Sequence, residues 1–328
     1  MQKKQQLQQE RERNKEKYRI LCSKQETIPI FLTSWWMDSA TNCSWDVILM
    51  EENNEIIAAL PYYIIRKLGF KIVVPPHLSP INGPWIRKKE GISLSHYYLY
   101  EIEVMEYFAK ELDKLKLDYY CHKFDHSLIS WLGFYWNNYK ETTFYKYRIE
   151  DTSNLDIVYK NISPRKRRMI SKAEKILSIE KDIDNKSFYD VLKLSFQRQN
   201  KNIPYSFSFF DSIEKASKEK NRSQKLVAKD GKGNIYAVMF LVFDIDTTYI
   251  LATGADPKHR DSGAMDFIHW YAIKDAHNHN RKVDLTGSMM KNVENYLRWF
   301  GGKLTPYLVI EKSYSKIYSL IRHIRLNH

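Results

Sequence analysis

The chain has 328 residues, of which 43% are hydrophobic, enough to bury the core of one large or two modest domains. Its net charge of +13 favours polyanionic partners: nucleic acid, phosphorylated carriers or an anionic membrane face. The three cysteines have irregular spacing that fits neither a disulfide framework nor a zinc site, no apolar run reaches the ~18 residues of a membrane helix, and the first residues lack a signal peptide's apolar core. The expectation is a cytoplasmic protein with no transmembrane segment.

Residues 1–26 are polar and rich in Lys and Gln, and read as a helix. Seven cations stand against three carboxylates in residues 1–19. A short helix is expected after residue 33, with Ser34 able to cap it. Residues 45–50 and 55–60 read as strands around a turn at 51–54, the second ended by Pro61. Strands at 62–65 and 70–74 continue the sheet, and 75–85 is a Pro-rich loop. Leu99, Ile102, Met105, Phe108 and Leu112 recur at helical spacing within 97–117. Residues 118–122 read as a strand, 127–136 as a short helix, and 142–149 as a strand leading out of the first domain. Polarity rises near Asp151, which divides the chain into domains 1–150 and 151–328.

Residues 155–159 are short and apolar. Ser163 and Pro164 then announce a helix, Ser as its N-cap and Pro at its first position. Residues 160–175 hold seven cations against one carboxylate. Arg165, Arg167 and Arg168 in the first turns oppose the helix dipole, at a cost of about a few tenths of a kcal/mol each unless an anion is near. Two readings are open: a solvated basic face, or an anion-binding cleft between the halves. Helices are expected at 188–196 and 207–216, joined by an amide- and Lys-rich loop. Gly231 and Gly233 mark a turn without the length or the Ser/Thr of a P-loop.

The richest pattern lies in 236–311. Apolar runs at 236–243 and 247–252 form a hairpin around Asp244 to Asp246. The second run passes through Lys258, His259, Arg260, Asp261, Ser262 and Gly263 into an amphipathic segment. Ala264, Ile268, Tyr271, Ala272 and Ala276 share one face of that segment. A strand at 282–285 and another at 307–310 follow. Strand, Gly-containing turn, helix and strand make a βαβ unit. Gly263 and Ala264 leave the first backbone N–H groups of the helix accessible, so a phosphate or pyrophosphate would be stabilised there, with Lys258, His259 and Arg260 around it. The same small pair also suits a turn that merely approaches the sheet. His277 and His279 are two residues apart, and no carboxylate or cysteine pair accompanies them. They fit a helix C-terminus, and no metal is expected.

Residues 260–265, Arg-Asp-Ser-Gly-Ala-Met, resemble the pyrophosphate loop of GNAT acyltransferases, R/Q-x-x-G-x-G/A, with Met265 standing at the last position. Residues 284–288 and 296–302 resemble closing segments of Fem-type (FemABX) transferases and their acetyltransferase-like relatives in that superfamily. The resemblance covers most of 155–312 and, more loosely, 28–90. It implies an α/β protein of two tandem GNAT-like domains, each a mixed sheet flanked by helices. It implies acyl-CoA, such as acetyl-CoA, as donor, with Arg260, Ser262, Gly263 and Ala264 at its pyrophosphate. Asp284 would take the proton from an acceptor amine, with Ser288 beside it. The other reading of Asp284 is a structural cap on Thr286 and Gly287. An Arg-rich helix similar to that of Fem-type relatives would bring Arg165, Arg167 and Arg168 to the substrate, with the 75–85 loop nearby. Fem-type aminoacyl transferases carry Phe-Lys-x-x-Phe-Gly where this chain has residues 296–301, so Leu297 replaces the lysine and Arg298 is its candidate substitute. The activity implied is acyl transfer to the amino group of a phosphorylated sugar or cell-envelope precursor, with a peripheral contact to anionic membrane as a further partner. The alternatives are a Fem-type enzyme using aminoacyl-tRNA, and a non-catalytic GNAT-like module that binds an anionic glycan or nucleotide.

Overall fold

The computed structural model describes residues 2–287 and 289–326. They form two compact units: Met1–Phe144 with Pro306–His328, and Tyr145–Thr305. The first division falls after residue 144, where the sequence reading sets it near Asp151. Residues 306–328 join the first unit, which the sequence division 151–328 did not foresee. The reason is that the last strand finds its partner in the first unit and not in its sequence neighbours.

The first unit opens with α1 (Gln2–Lys24) and α2 (Ser34–Thr41). Thr33 and not Ser34 stands at the N-cap of α2. Strands β1 (Trp45–Glu52) and β2 (Glu55–Lys67) pair antiparallel around Asn53 and Asn54. Both asparagines have positive φ, the conformation a tight hairpin turn requires. β2 does not end at Pro61. It continues to Lys67, because Pro61 falls in a gap between two partners: β4 (Trp85–Ile86) pairs with Ala58 and Ala59, and β3 (Phe70–Val73) pairs with residues 64–67. A proline without an N–H is tolerated where no second ladder needs one. Helix α3 (Leu94–Lys114) buries Tyr100, Val104, Met105, Phe108 and Leu112, while Leu99 is 52% exposed. The buried row is thus 100, 104, 108 and 112, and Leu99 and Ile102 lie off it. β5 (Tyr119–Lys123) returns parallel to β3. The helix expected at 127–136 shrinks to α4 (Leu132–Tyr135), and β6 (Lys140–Ile149) leads into the second unit.

There, α5 (Leu155–Asn161) and α6 (Pro164–Glu174) precede β7 (Leu177–Glu180), and α7 (Asn185–Gln197) and α8 (Phe207–Glu219) precede β8 (Ser223–Asp230). β9 (Ile235–Phe243) and β10 (Thr247–Ala255) make the hairpin expected from sequence. The Asp244 carboxylate accepts the amides of Asp246 and Thr247 and so fixes the turn. Helix α9 (Ala264–Asn278) crosses to β11 (Lys282–Asp284), which runs parallel to β10. α10 (Lys291–Leu297) and β12 (Lys303–Ser313) follow, and α11 (Lys316–Leu326) packs in the first unit. Within the second unit the strand order is β6-β11-β10-β9-β8-β7. Its core gathers Ile170 of α6, Ile268 and Ile273 of α9, Met239, Leu241, Val283 and Phe300. In the first unit β1, β2, β3 and β5 lie side by side, and residues 309–313 of β12 pair antiparallel with β5.

Each unit therefore repeats one plan: an antiparallel pair, a crossover helix and a parallel return strand. β3-α3-β5 carries it in the first, and β10-α9-β11 in the second. The chain is a mixed α/β protein of two units built on this one plan. In the first unit, β3–β5 pairing stops at Tyr120, and beyond it His122 is 1% exposed. Burial pushes the imidazole pKa down to about 3, and its Nδ1 has no hydrogen-bond partner among the described residues.

A base held below its ordinary pKa, which is near 6.5, stabilises the fold fully above that value and loses the contribution as pH falls through it. We therefore expect unfolding free energy to drop by about 1.4 kcal/mol per pH unit from this group below roughly pH 6.5. His122→Phe should flatten that slope in urea titrations between pH 6.5 and 4.5. An unchanged slope would place the acid sensitivity elsewhere.

Candidate functional site

The second unit's site begins with a pairing that stops short. β10 and β11 are matched only at Thr247–Lys282, Thr248–Val283 and Tyr249–Asp284. On its other side β10 stays paired with β9, but the register shifts between Ile250 and Ala252, so Leu251 is an extra residue. Such a bulge bends a strand and re-aims its groups. Beyond it, no strand among the described residues pairs with the β11 side of β10. Two side chains hold the ends of this opening. Thr286 Oγ1 donates to the Ile250 carbonyl at 2.8 Å, and Ser195 Oγ of α7 takes the Ala255 amide at 2.7 Å while donating to its carbonyl at 3.1 Å. Backbone groups alternate sides along a strand. Thr253, two residues before Ala255, accordingly directs its N–H and C=O into the gap between these tethers.

Asp284 closes the last matched pair. It is 1% exposed. Its carboxylate accepts from Lys146 Nζ at 2.7 Å, from Arg148 Nη1 at 2.9 Å, and from the Thr286 amide at 2.8 Å. Thr286 has a positive φ of 50°, a conformation this cap holds in place. The cap on Thr286, one of the two readings of Asp284, is thus a contact in the structure, and two cations share the same carboxylate. Ser288 lies outside the described residues.

The turn after β10 contains Arg260, Ser262 and Gly263. Gly263 has φ 83°, and a Cβ there would overlap the Met169 carbonyl oxygen of α6. Packing against α6 and a left-handed backbone therefore require glycine at this position. Ser262 Oγ accepts the Ala264 amide at 3.1 Å, and the Phe267 amide makes the first intrahelical bond, to the Gly263 carbonyl. The amides of Met265 and Asp266 remain as the first-turn donors of α9. Arg260 is exposed beside them in sequence.

Helix α6 is capped as its sequence predicts, with Ser163 Oγ accepting the Lys166 amide and Pro164 in first position. Its basic residues separate by face. Lys166 is buried. It donates to Asp266 Oδ1 at 2.7 Å, and its ammonium sits 3.5 Å from the ring centroid of Tyr296 and 4.2 Å from that of Phe300. Tyr296 donates to the same Asp266 oxygen, and His269 stacks on Phe300. Burial lowers the Lys166 pKa, and Asp266 opposes that shift. Arg167 and Arg168 instead line a shallow groove of about 610 Å³ with Lys172, Lys175, Ser171 and Tyr159. Arg167 lies over the Tyr159 ring, which packs on Trp270. Lys172 Nζ donates to the Asp261 carbonyl at 2.8 Å, so the groove adjoins the Arg260–Gly263 turn. Arg165 is exposed and is not part of the groove. Arg298 pairs with Glu294 one turn before it, at 2.5 Å, and Leu297 is buried in the core. His277 and His279 each place Nδ1 against a backbone carbonyl, of Thr152 and Asp275 respectively.

Sequence reasoning missed Lys166, Asp266 and Ser195. Lys166 had a signal: 166, 170 and 173 fall on one helical stripe whose other members are Ile170 and Ala173. Ser195 had none, because its partner is 60 residues away.

Residues 160–296 match the acetyltransferase (GNAT) domain family. In fold the chain is similar to FemX, with a TM-score of 0.65 at 12% identity over 90% of this chain and 95% of that one. It is similar also to a C-terminal domain assigned to a lysylphosphatidylglycerol synthetase of Agrobacterium fabrum, with a TM-score of 0.57 at 11% identity over 92% of each chain. A tandem GNAT protein from the clavulanic acid biosynthesis pathway gives a TM-score of 0.51 at 9% identity, over 92% of this chain and 95% of that one. At these identities the likeness is one of fold. No curated protein matches in sequence.

Two substitutions test this construction. Asp284→Ala leaves Lys146 and Arg148 facing each other inside the unit, and should cost about 3–5 kcal/mol of unfolding free energy. Gly263→Ala must adopt a left-handed backbone against the Met169 carbonyl, and should cost at least about 1–2 kcal/mol. Chemical denaturation midpoints measure both. A loss below about 0.5 kcal/mol, the range of ordinary surface substitutions, would refute the corresponding contact.

Proposed function

We propose, from the match of residues 160–296 to the acetyltransferase (GNAT) domain family, that this protein is an N-acyltransferase using acyl-CoA as donor. The observation that carries the reading is the opened edge of β10, bulged at Leu251 and tethered at Ile250 and Ala255. An extended thioester chain laid along that edge would meet the Thr253 amide and carbonyl as an added strand would. Its pyrophosphate would then reach the Met265 and Asp266 amides at the start of α9, with Arg260 adding a charge-assisted contact.

An acceptor amine attacks the thioester carbonyl, the C–N bond forms, the C–S bond breaks, and one proton passes from the amine to the leaving thiolate. Bound to Lys146 and Arg148, Asp284 serves this step by positioning the end of β11 and Thr286. The acceptor in this reading carries an amino group and an anionic group, as a phosphorylated sugar or a cell-envelope precursor does. Arg167, Arg168, Lys172 and Lys175 meet its anionic part. The same four-cation groove also suits aminoacyl-tRNA as donor.

Calorimetry with acetyl-CoA decides between them. Arg260→Ala should weaken binding roughly tenfold to hundredfold, the effect of losing one charged hydrogen bond of about 1.5–3 kcal/mol. Arg168→Ala should leave CoA binding unchanged and raise KM for the acceptor. Wild-type protein that ignores acetyl-CoA but binds aminoacyl-tRNA would move the donor to the second reading. Affinity for neither would favour a non-catalytic module.

A further inference from the structure

Helix α11 packs only one side of itself. Tyr318 sits against Phe70 and Tyr119, with ring centroids 5.1 and 5.4 Å away, and Arg322 pairs with Glu311 at 2.7 Å. On the opposite side, Ile317, Leu320 and Ile324 are 67%, 62% and 52% exposed. Spaced by three and four residues, they form one unbroken aliphatic stripe. The Phe70 contact brings the β2–β3 hairpin alongside, and Leu68 at its tip is 68% exposed.

The surroundings of this apolar surface are basic. Residues 66–71 contain Arg66, Lys67 and Lys71 and no carboxylate, and α11 has none either. Along the other flank of α11 runs a depression of about 400 Å³, whose lining includes Lys140, Lys316, Arg322 and His323 with the hydroxyls of Ser315 and Ser319. Its one carboxylate, Glu311, is neutralised by Arg322. A helix of 11 residues is far too short to span a bilayer. A short amphipathic helix with an aliphatic face and cationic borders instead fits the boundary between headgroups and acyl chains.

We propose that α11 and the β2–β3 hairpin tip dock this protein on an anionic lipid surface. Ile317, Leu320, Ile324 and Leu68 enter the acyl boundary. Lys67, Lys140 and Lys316 meet lipid phosphates, the last two from the lining of the basic depression. Charge selects the occupant: the patch sets Lys67, Lys140 and Lys316 beside aliphatic groups, and an anionic bilayer supplies partners for both at once. This surface belongs to the first unit and does not depend on which donor or acceptor the second unit uses.

Vesicle co-sedimentation with the full chain tests it. Wild-type protein should bind vesicles of phosphatidylcholine with one-third phosphatidylglycerol, should bind pure phosphatidylcholine vesicles at least about tenfold more weakly, and should be released by salt. Leu320→Ser with Ile324→Ser should weaken binding to the anionic vesicles by at least about tenfold. Should that double variant lose its circular dichroism spectrum, Lys67→Glu with Lys316→Glu gives the same reading from the polar side. Failure of the wild type to bind anionic vesicles would overturn the proposal, as would equal binding by the folded variants. Light scattering without vesicles completes the test. A wild-type dimer that the double variant turns into a monomer would show that a second copy covers the stripe, and would overturn it as well.

Discussion

Parallel pairing between β10 and β11 lasts three residues and then fails, and the arrangement of the second unit follows from that failure. A strand whose edge is left without a partner exposes backbone groups that must be satisfied. Here the satisfaction is partial. Thr286 and Ser195 take the two ends, one from the strand that has turned away and the other from a helix on the sheet's face. What lies between, at Thr253, is left without a strand partner on that side among the described residues. The bulge at Leu251 occurs at the same point on the opposite edge, so twist and opening coincide.

Two clusters of buried charge fix the elements of the second unit. On the β11 side, Lys146, Arg148 and Asp284 form a cluster in which the carboxylate also caps Thr286. On the helix side, Lys166 of α6 and Asp266 of α9 pair beneath Tyr296 and Phe300. Buried ion pairs add little net stability compared with apolar packing, yet removing one partner is costly. Their use here is geometric. The first ties β11 to β6 and the second ties α6 to α9, and Gly263 lets α6 lie directly on the turn that leads into α9.

The basic helix illustrates how one run of charge divides between roles. Four consecutive cations, residues 165–168, look equivalent in the sequence. Helical geometry sends Lys166 inward to Asp266, Arg167 and Arg168 to the groove, and Arg165 to solvent. The unfavourable placement of cations at a helix N-terminus is eased by the nearby Asp266 carboxylate, itself in the first turn of α9.

Much of the fold was legible because it rests on local pattern. Apolar runs on either side of short turns located the β1–β2 and β9–β10 hairpins, Ser163 and Pro164 located the start of α6, and the βαβ order located the turn that contains Gly263. Strands β7 and β8 went unread, and Pro61 seemed to end a strand that continues past it. Each of these depends on which partner lies alongside, a matter of pairing between distant segments. The candidate site divides in the same way. Residue type and spacing pointed to Arg260, Gly263, Arg167 and Arg168. Tertiary structure alone decided that Gly263 answers to Met169, that Asp284 is shared by Lys146 and Arg148, that Ser195 seals the end of β10, and that residues 306–328 return to the first unit. Local periodicity is written in neighbours along the chain and so survives in a sequence. Contacts between residues 60 or 136 positions apart arise only when the sheet brings them together, and no single segment carries their record.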